Sequence, residues 1–366
     1  MDSSWLDALE SRAAEVLPAA VHAYVRAGAR DGLAAAEAVE AWRALRLRPR
    51  VLQDVRAVDT RTTACGVPLD LPVAVAPTTL QRAADPDGEI AMARAVADSG
   101  SLLVVSSNAG HRLADIAATG VAWWLQAYLP QRRDRARALL ADAVAAGASA
   151  VVLTVDTPVV GTKYGAAAGV WDAVDVSWVR ANLADAADDP KATDLGPDDI
   201  AWLADTTGLP VVVKGVLRAD DARRCVEAGA AAIWVSNHGG RQLDRAATTA
   251  ACLPDIVQAV GEVAQAGGTE VYVDGGLRNG LDLLAALGLG TRLAFVGRQP
   301  FYALAVSGAD GVRRMFAEMR AEIEEGMRLL GVADLATLRR SEVVLGRARE
   351  AATRAVPGVD LRERPL

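Results

Sequence analysis

The residues best equipped for chemistry sit in one stretch, Ser236-Asn237-His238-Gly239-Gly240-Arg241-Gln242-Leu243-Asp244. It sets an imidazole three positions before a guanidinium, in a glycine-rich loop that follows an apolar run. Imidazole titrates near neutral pH and suits proton transfer. Guanidinium grips a carboxylate through two parallel hydrogen bonds. Together they suit abstraction of a proton from a small acid that Arg241 orients. The alternative is a loop whose His merely caps local backbone, and a position at the C-terminal end of a strand weighs against it. His22 falls within an N-terminal helical stretch and reads as a packed or solvated helix position. His111 either lines a pocket or opens a helix, so His238 is the candidate base.

Two further loops point to a phosphate. Asp274-Gly275-Gly276-Leu277-Arg278 and Gly297-Arg298 each follow an apolar run. Glycines allow close backbone approach, and each Arg adds charge-assisted bonds. One Gly-Gly turn is a weak signal; two such loops on adjacent strands, each with an Arg, indicate a phosphorylated ligand. Lys214, closing VVVKG, is a cation for developing negative charge, a Schiff-base nucleophile, or one half of an ion pair. Asp156, closing LTVD, either backs the His238 imidazole or caps the segment after it. Pro77, Thr78 and Thr79, then Ser106 and Ser107, then Gln126 and Tyr128 close three other runs. A ring with hydrogen-bonding edges could lie across them, or they are simply surface.

What must position these groups is a repeating alternation. Apolar runs occupy residues 71–77, 102–106, 122–128, 150–156, 209–215, 231–236, 270–275 and 292–297. They run apolar without a break, as strands buried on both faces must. Helical spacing marks residues 88–99, 131–146, 219–228 and 280–289, with a shorter helix at 198–205 that Pro197 opens. Eight strands closes a parallel barrel, whereas an open doubly wound sheet usually has five or six. The expected fold class is therefore α/β: a (β/α)8 TIM barrel with its core at residues 71–330. Helical extensions precede it (5–27 and 34–45) and follow it (301–330 and 335–354), all within one domain, 1–366. About 40 residues separate the fourth strand from helix 198–205, a length usual for lids and binding loops. Trp171 and Trp178 predict that part of this connection packs; residues 185–189 read as solvated.

The 366 residues carry 39 basic and 46 acidic side chains, a formal charge of −7, with 52% hydrophobic and 23% charged residues. Wholesale disorder is excluded, and there is no electrostatic footprint for nucleic acid or an anionic membrane. The longest uncharged stretch of the barrel region, residues 143–155, falls short of the roughly 20 a bilayer span needs. No basic leader with an apolar core opens the chain, and Cys65, Cys225 and Cys252 are scattered without ligand spacing to any His. A cytoplasmic protein with no membrane span, no metal site and small buried thiols is expected.

These residues resemble a known family, the FMN-dependent α-hydroxy-acid oxidases and dehydrogenases that act on glycolate, lactate and mandelate. SNHGGRQLD matches its signature throughout. LRPRVL (47–52), PTTLQ (77–81), LTVDTP (153–158), VVKGV (212–216), DGGLR (274–278) and VGR (296–298) are also similar. The resemblance implies that His238 takes the substrate's α-proton or hydroxyl proton while Asp156 supports its charged form. Arg241 would bind the substrate carboxylate with Tyr24 and Tyr128, and Lys214 would stabilise the reduced flavin. Pro77, Thr78, Thr79, Ser106, Gln126, Thr154 and Ser236 would surround the isoalloxazine. Asp274 would hold ribityl hydroxyls, and Gly275, Gly276, Arg278, Gly297 and Arg298 the phosphate.

Three positions depart from the family. Lys163 stands where Arg is common, Asn108 where several members carry Trp, and Thr79 where a small Ala or Gly is usual. Lys for Arg at a bidentate site is not conservative; Asn108 implies a roomier or more polar pocket, Thr79 an altered flavin environment. The resemblance implies oxidation of an (S)-2-hydroxy acid, mandelate-like or lactate-like, to a 2-oxo acid by a homo-oligomer, a tetramer. No haem-binding or membrane-anchoring insert is visible, which favours O2 over another electron acceptor. The rival reading is a lyase using Lys214 as a Schiff base on a phosphorylated keto substrate; the phosphate loops fit it, SNHGGR does not.

Overall fold

The eight apolar runs pair edge to edge. In a computed structural model, which describes residues 4–183, 189–264, 268–338 and 343–345, they form β1 (Val73–Val75), β2 (Leu102–Ser106), β3 (Ala122–Ala127), β4 (Val151–Thr154), β5 (Val211–Val216), β6 (Ala232–Val235), β7 (Glu270–Val273) and β8 (Leu293–Val296). Each strand lies parallel to the next in the chain and β8 returns to β1, closing the barrel. This is the (β/α)8 fold that the strand count predicts.

Side chains alternate across each strand. Leu102 and Val104 of β2 join the barrel interior, while Leu103 and Val105 join the layer beneath the helices. Both layers are dry, which explains the unbroken apolar runs. Trp124, Trp234, Tyr272 and Phe295 fill the interior, with Trp234 stacked on Phe295 at 3.7 Å between ring centroids.

A hairpin, Thr62–Ala64 paired with Val67–Leu69, plugs the end where the strands begin. Ala64 and Leu69 enter the interior cluster, and the Cys65 N–H donates to Glu270 at the first residue of β7, 3.3 Å. Its turn, Cys65-Gly66, has φ of 44° and 80°, the left-handed pair that a two-residue hairpin loop needs. The sequence reading assigned no element to these residues. The opposite mouth is left to the loops that follow the strands.

Other boundaries differ for identifiable reasons. The expected helix 5–27 is two, α1 (Trp5–Val16) and α2 (Ala19–Arg26): Pro18 offers no N–H and forces Leu17 into an extended conformation, ψ 147°. α3 spans Leu33–Arg43. Helices Leu113–Ala117 and Thr249–Val263 were not expected; the second contains Pro254, which disguises it. Residues 131–146 divide into a 3-10 turn (Arg133–Ala136) and a helix (Arg137–Ala145). Helix Arg298–Leu330 kinks at Ser307-Gly308. The described residues of the expected helix 335–354 are not helical: Val343–Leu345 form a strand antiparallel to Leu45–Leu47, as an apolar β-branched run beside an open edge would, and residues 339–342 and 346–354 lie outside the described residues. The three cysteines are unpaired and half-buried rather than buried.

The connection after β4 holds three short helical turns, Gly165–Gly169, Val170–Ala173 and Val176–Trp178. The first two pack against α2, burying Ala167 and Val170. Trp171 stays half exposed, edge-on to Tyr24 with centroids 5.9 Å apart. Residues 185–188 lie outside the described residues; Asp189, expected in solvent, has a largely buried carboxylate 3.5 Å from Arg135. Among the described residues no helix is long and apolar enough to cross a membrane.

Candidate active site

At the mouth where the strands end, a cavity of about 1180 Å³ gathers residues from all eight strand–loop junctions and from α2. His238 sits there directly after β6, held at φ 57°, a left-handed conformation costly for a residue with a Cβ and typical of functional positions. Its N–H donates to Ser236 Oγ at 3.0 Å, which fixes the turn. Its Nδ1 meets Asp156 Oδ1 at 2.8 Å across the β4–β6 gap. The Thr157 hydroxyl donates to the same Asp156 oxygen at 3.0 Å. With Nδ1 engaged, Nε2 is the ring nitrogen left for a substrate.

The electrostatics suit a base. Burial, opposed in part by Asp156 and reinforced by the Lys214 and Arg241 cations, holds His238 below the ordinary imidazole range. Burial pushes Asp156 up, but His238, Lys214 and Thr157 outweigh it and hold the carboxyl down at about 2. The pair at neutral pH is therefore a neutral imidazole backed by a carboxylate. Asp156 stands behind the cavity wall, and its Oδ2 has no hydrogen-bond partner. Gly215 makes room for it: a Cβ there would stand 2.6 Å from the Asp156 Cβ.

Arg241 reaches the same cavity. Its Nη1 donates to the carbonyls of Tyr24 (2.8 Å), Val25 (3.1 Å) and Ala27 (2.8 Å) at the C-terminal end of α2, leaving the rest of the fork for an anion. Its guanidinium lies 4.8 Å from the Tyr24 ring centroid. Tyr128, at the end of β3, lines the cavity, and burial together with Asp156 pushes its phenol above the usual range. Lys163 approaches from the β4 connection, donating to the carbonyls of Gly161 (3.1 Å) and Arg241 (3.4 Å). Burial and the Arg241, Arg298 and Lys191 charges push its ammonium down to about 8.

Asn108 and Thr79 line the cavity too, and the Thr79 hydroxyl donates to the backbone carbonyl of Asn108 at 3.2 Å. Deeper in, Ser106 Oγ donates to Gln126 Oε1 at 3.2 Å and Gln126 Nε2 to Thr154 Oγ1 at 3.1 Å. Pro77 and Thr78 border the same space.

Lys214, 3% exposed, donates to Ser236 Oγ at 2.9 Å and lies 3.3 Å from Asp274 Oδ2. An amine tied this way is a fixed cation, and the Schiff-base reading gains no support. Ser236, expected beside the flavin, is fully buried, and its hydroxyl accepts from Lys214 Nζ and from the His238 N–H, so it also positions both groups.

The residues present fit FMN. Asp274 Oδ1 is buried with no partner, facing a need that a ribityl hydroxyl meets. Gly276 has φ 95°, and a Cβ there would stand 2.3 Å from the Ala38 carbonyl oxygen, so only glycine shapes this cradle. Among the described residues the Arg278 and Arg298 guanidiniums bond only backbone carbonyls, at Leu277 and at Val25, Arg26, Ala27 and Gly239. Burial and the neighbouring Arg241 and Arg278 charges push Arg298 down to about 9, and burial lowers Arg278. Clustered, desolvated guanidiniums without a carboxylate call for an anion such as phosphate. Gly275 and Gly297 complete the two loops on the cavity wall.

Some residues escaped the sequence reading. Thr157, Gly215 and Lys191 sit at or behind the cavity wall; LTVDTP and VVVKG contained the first two without marking their roles. Asp244 of SNHGGRQLD is an anchor rather than a reagent, accepting from the N–H groups of Asp31 (3.1 Å), Gly32 (3.2 Å) and Ala34 (3.0 Å) at the start of α3. Gln242 likewise accepts from the Gly161 N–H at 2.8 Å. His111 is clamped to Glu89 at 2.8 Å away from the cavity, and His22 packs on Tyr302.

The sequence model of the FMN-dependent dehydrogenases matches residues 13–345. A peroxisomal (S)-2-hydroxy-acid oxidase of Oryza sativa subsp. japonica is 36% identical over 349 residues, covering 91% of this chain and 93% of the relative. Glycolate oxidase of Spinacia oleracea is 36% identical over 363 residues, 94% and 96% of the two chains. A crystal structure of mandelate oxidase with 2-hydroxy-phenylacetamide superposes with a TM-score of 0.86 at 36% identity, covering 94% of this chain and 99% of that one. A solved structure of a mandelate oxidase mutant with (S)-mandelic acid gives 0.87 at 35%, with the same coverage. The cavity, its Asp156–His238 pair and its two glycine–arginine loops thus sit in a chain that belongs to the FMN-dependent dehydrogenase family, and FMN is its cofactor.

Proposed function

We propose that this enzyme oxidises an (S)-2-hydroxy acid to the 2-oxo acid, with the Asp156–His238 pair as proton acceptor and Arg241 as carboxylate anchor. The observation that carries the proposal is the 2.8 Å contact between His238 Nδ1 and Asp156, in the same cavity as Arg241 and the phosphate loops. Arg241 holds the substrate carboxylate with the guanidinium edge not spent on α2, and the hydroxyls of Tyr24 and Tyr128 flank it. His238, neutral in the resting site, takes the proton at Nε2, and Asp156 stabilises the imidazolium so formed. FMN, when bound, would supply the chemistry that accepts the two electrons leaving the α-carbon together with the second of the two protons released, the first having gone to His238. Lys214, fixed by Ser236 and Asp274, holds a positive charge at the flavin side of the cavity. Asp274, Gly276, Arg278 and Arg298 hold the ribityl and phosphate groups.

Dioxygen is the proposed acceptor, supported by the oxidase names of the relatives; one peroxide formed per 2-oxo acid is the expected yield. A homotetramer follows from the family resemblance and is read from the native mass. Three unpaired cysteines support a reducing, cytoplasmic location, tested by fractionation. The activity itself is tested by an anaerobic screen of 2-hydroxy acids. Loss of the flavin's blue-light absorbance is the expected result, and a flavin that no 2-hydroxy acid bleaches refutes the proposal.

A further inference from the structure

Arg180, Lys191 and Arg135, the last paired with Asp189, line the cavity and have no place in this chemistry. Lys191 belongs to the connection after β4, where the chain runs back beside the segment after β3. The Gln131 N–H donates to the Pro190 carbonyl, the Ala192 N–H donates to the Leu129 carbonyl, and both distances are 2.9 Å. This short antiparallel bridge delivers the Lys191 side chain to the cavity, with Nζ 3.6 Å from the centroid of the Tyr128 ring. A ring face steadies an ammonium but leaves its opposite side open to an anion.

Charge matching then becomes uneven. Among the described residues neither Lys163 nor Lys191 forms a salt bridge with a carboxylate; Lys163 donates to carbonyls and lies 5.7 Å from the Tyr24 ring centroid, and Lys191 lies over the Tyr128 ring. The nearby carboxylates make their close contacts elsewhere, Asp189 with Arg135 and Asp156 with His238; burial pushes the Lys191 ammonium down to about 8, and the Asp156 charge offsets this only in part. Arg241, Lys163 and Lys191 thus share one partly desolvated space, and their mutual repulsion lowers Lys163 further. The α-carboxylate of a 2-hydroxy acid answers the Arg241–Lys163 side alone. A short alkyl substituent beside Lys191 would strip water from an ammonium and return nothing, and an aryl one would return only a second ring contact of the kind Tyr128 already makes, not an opposite charge.

We infer that Lys191 is a specificity-determining residue that receives a second anionic group, and that the substrate class is the 2-hydroxy dicarboxylic acids. The inference rests on the 2-hydroxy-acid reading above and replaces the mandelate-like or lactate-like expectation. The far carboxylate pairs with Lys191 over the Tyr128 ring while the near one pairs with Arg241, so the two charges fix the substrate's orientation at both ends.

The test compares (S)-malate and (S)-2-hydroxyglutarate with their ω-amides, which match them in length but lack the second charge. Anaerobic flavin bleaching on the FMN-loaded enzyme should favour each acid over its amide in kcat/KM by about ten-fold or more. The ratio should fall to near unity in Lys191→Met and persist in Lys191→Arg. Calorimetric binding of the corresponding dicarboxylates without the hydroxyl should follow the same order. Equal handling of acid and amide by the wild-type enzyme overturns the inference, as does a Lys191→Met variant that keeps the ratio. Should Lys191→Met lose its flavin, the wild-type ratio decides. Bleaching by lactate or mandelate without acid–amide discrimination refutes this inference alone. Absence of bleaching by every 2-hydroxy acid refutes the reading beneath it as well.

Discussion

Replacing Asp156 by Asn removes a charge from the proton-accepting pair while keeping its shape. Asp156 Oδ1 lies 2.8 Å from His238 Nδ1, so the imidazolium formed when His238 takes a proton faces a full negative charge. Two charge centres about 4 Å apart at an effective dielectric of 20 interact by about 4 kcal/mol; truncation of a charge-assisted hydrogen bond costs about 1.5–3 kcal/mol. Loss of the charge should raise the barrier to flavin reduction by about 2–4 kcal/mol, a slowing of roughly 30- to 1,000-fold. The pH profile supplies a sharper signature. His238 must be neutral to act, so the rate rises with pH through its pKa, which burial, Lys214 and Arg241 already hold below the ordinary value while Asp156 opposes them. Removing Asp156 removes the one opposing influence, so the acid limb moves to lower pH even as the plateau falls. Anaerobic stopped-flow reduction with a saturating 2-hydroxy acid, across pH and at equal FMN content, reads both quantities. A plateau within about three-fold of wild type, or an acid limb displaced upward in pH, would refute the pairing.

Two further perturbations probe the cations. Lys163 is pushed down to about 8, so its charge is lost as pH rises past that value. KM for a monocarboxylic 2-hydroxy acid should climb on that limb, and Lys163→Arg, which stays charged, should abolish the climb; an unchanged limb in Lys163→Arg would remove Lys163 from carboxylate binding. Arg298→Ala deletes one of the desolvated guanidiniums at the phosphate loops and should weaken FMN about 10- to 100-fold. Fluorescence titration of the apoprotein with FMN measures this, and wild-type affinity would place the phosphate elsewhere.

Much of this was legible in the sequence because of how a closed parallel barrel buries its strands. Packed on both faces, residues such as Leu102 to Val105 must be apolar without alternation, and the first polar residue marks the mouth. His238, Asp156, Lys214 and Asp274 were readable for that reason: each stands where an apolar run stops. Elements outside that rule were not. The 62–69 hairpin has strands too short to show a period, Pro254 disguises helix Thr249–Val263, and Pro18 divides a stretch whose apolar pattern continues through it. Lys191 was invisible for a different reason. Its importance comes from a backbone bridge across more than sixty positions and a contact with an aromatic face, and neither leaves a local pattern. Ser236 belonged to a recognisable motif, yet its burial behind Lys214 depends on how β5 and β6 register.

The central claim is that His238 is the base, and His238→Ala measures it most directly. With FMN bound at wild-type stoichiometry, anaerobic mixing with a 2-hydroxy acid that bleaches the wild-type enzyme should show flavin reduction slowed by about 10²- to 10⁴-fold. Bleaching at the wild-type rate would contradict the account.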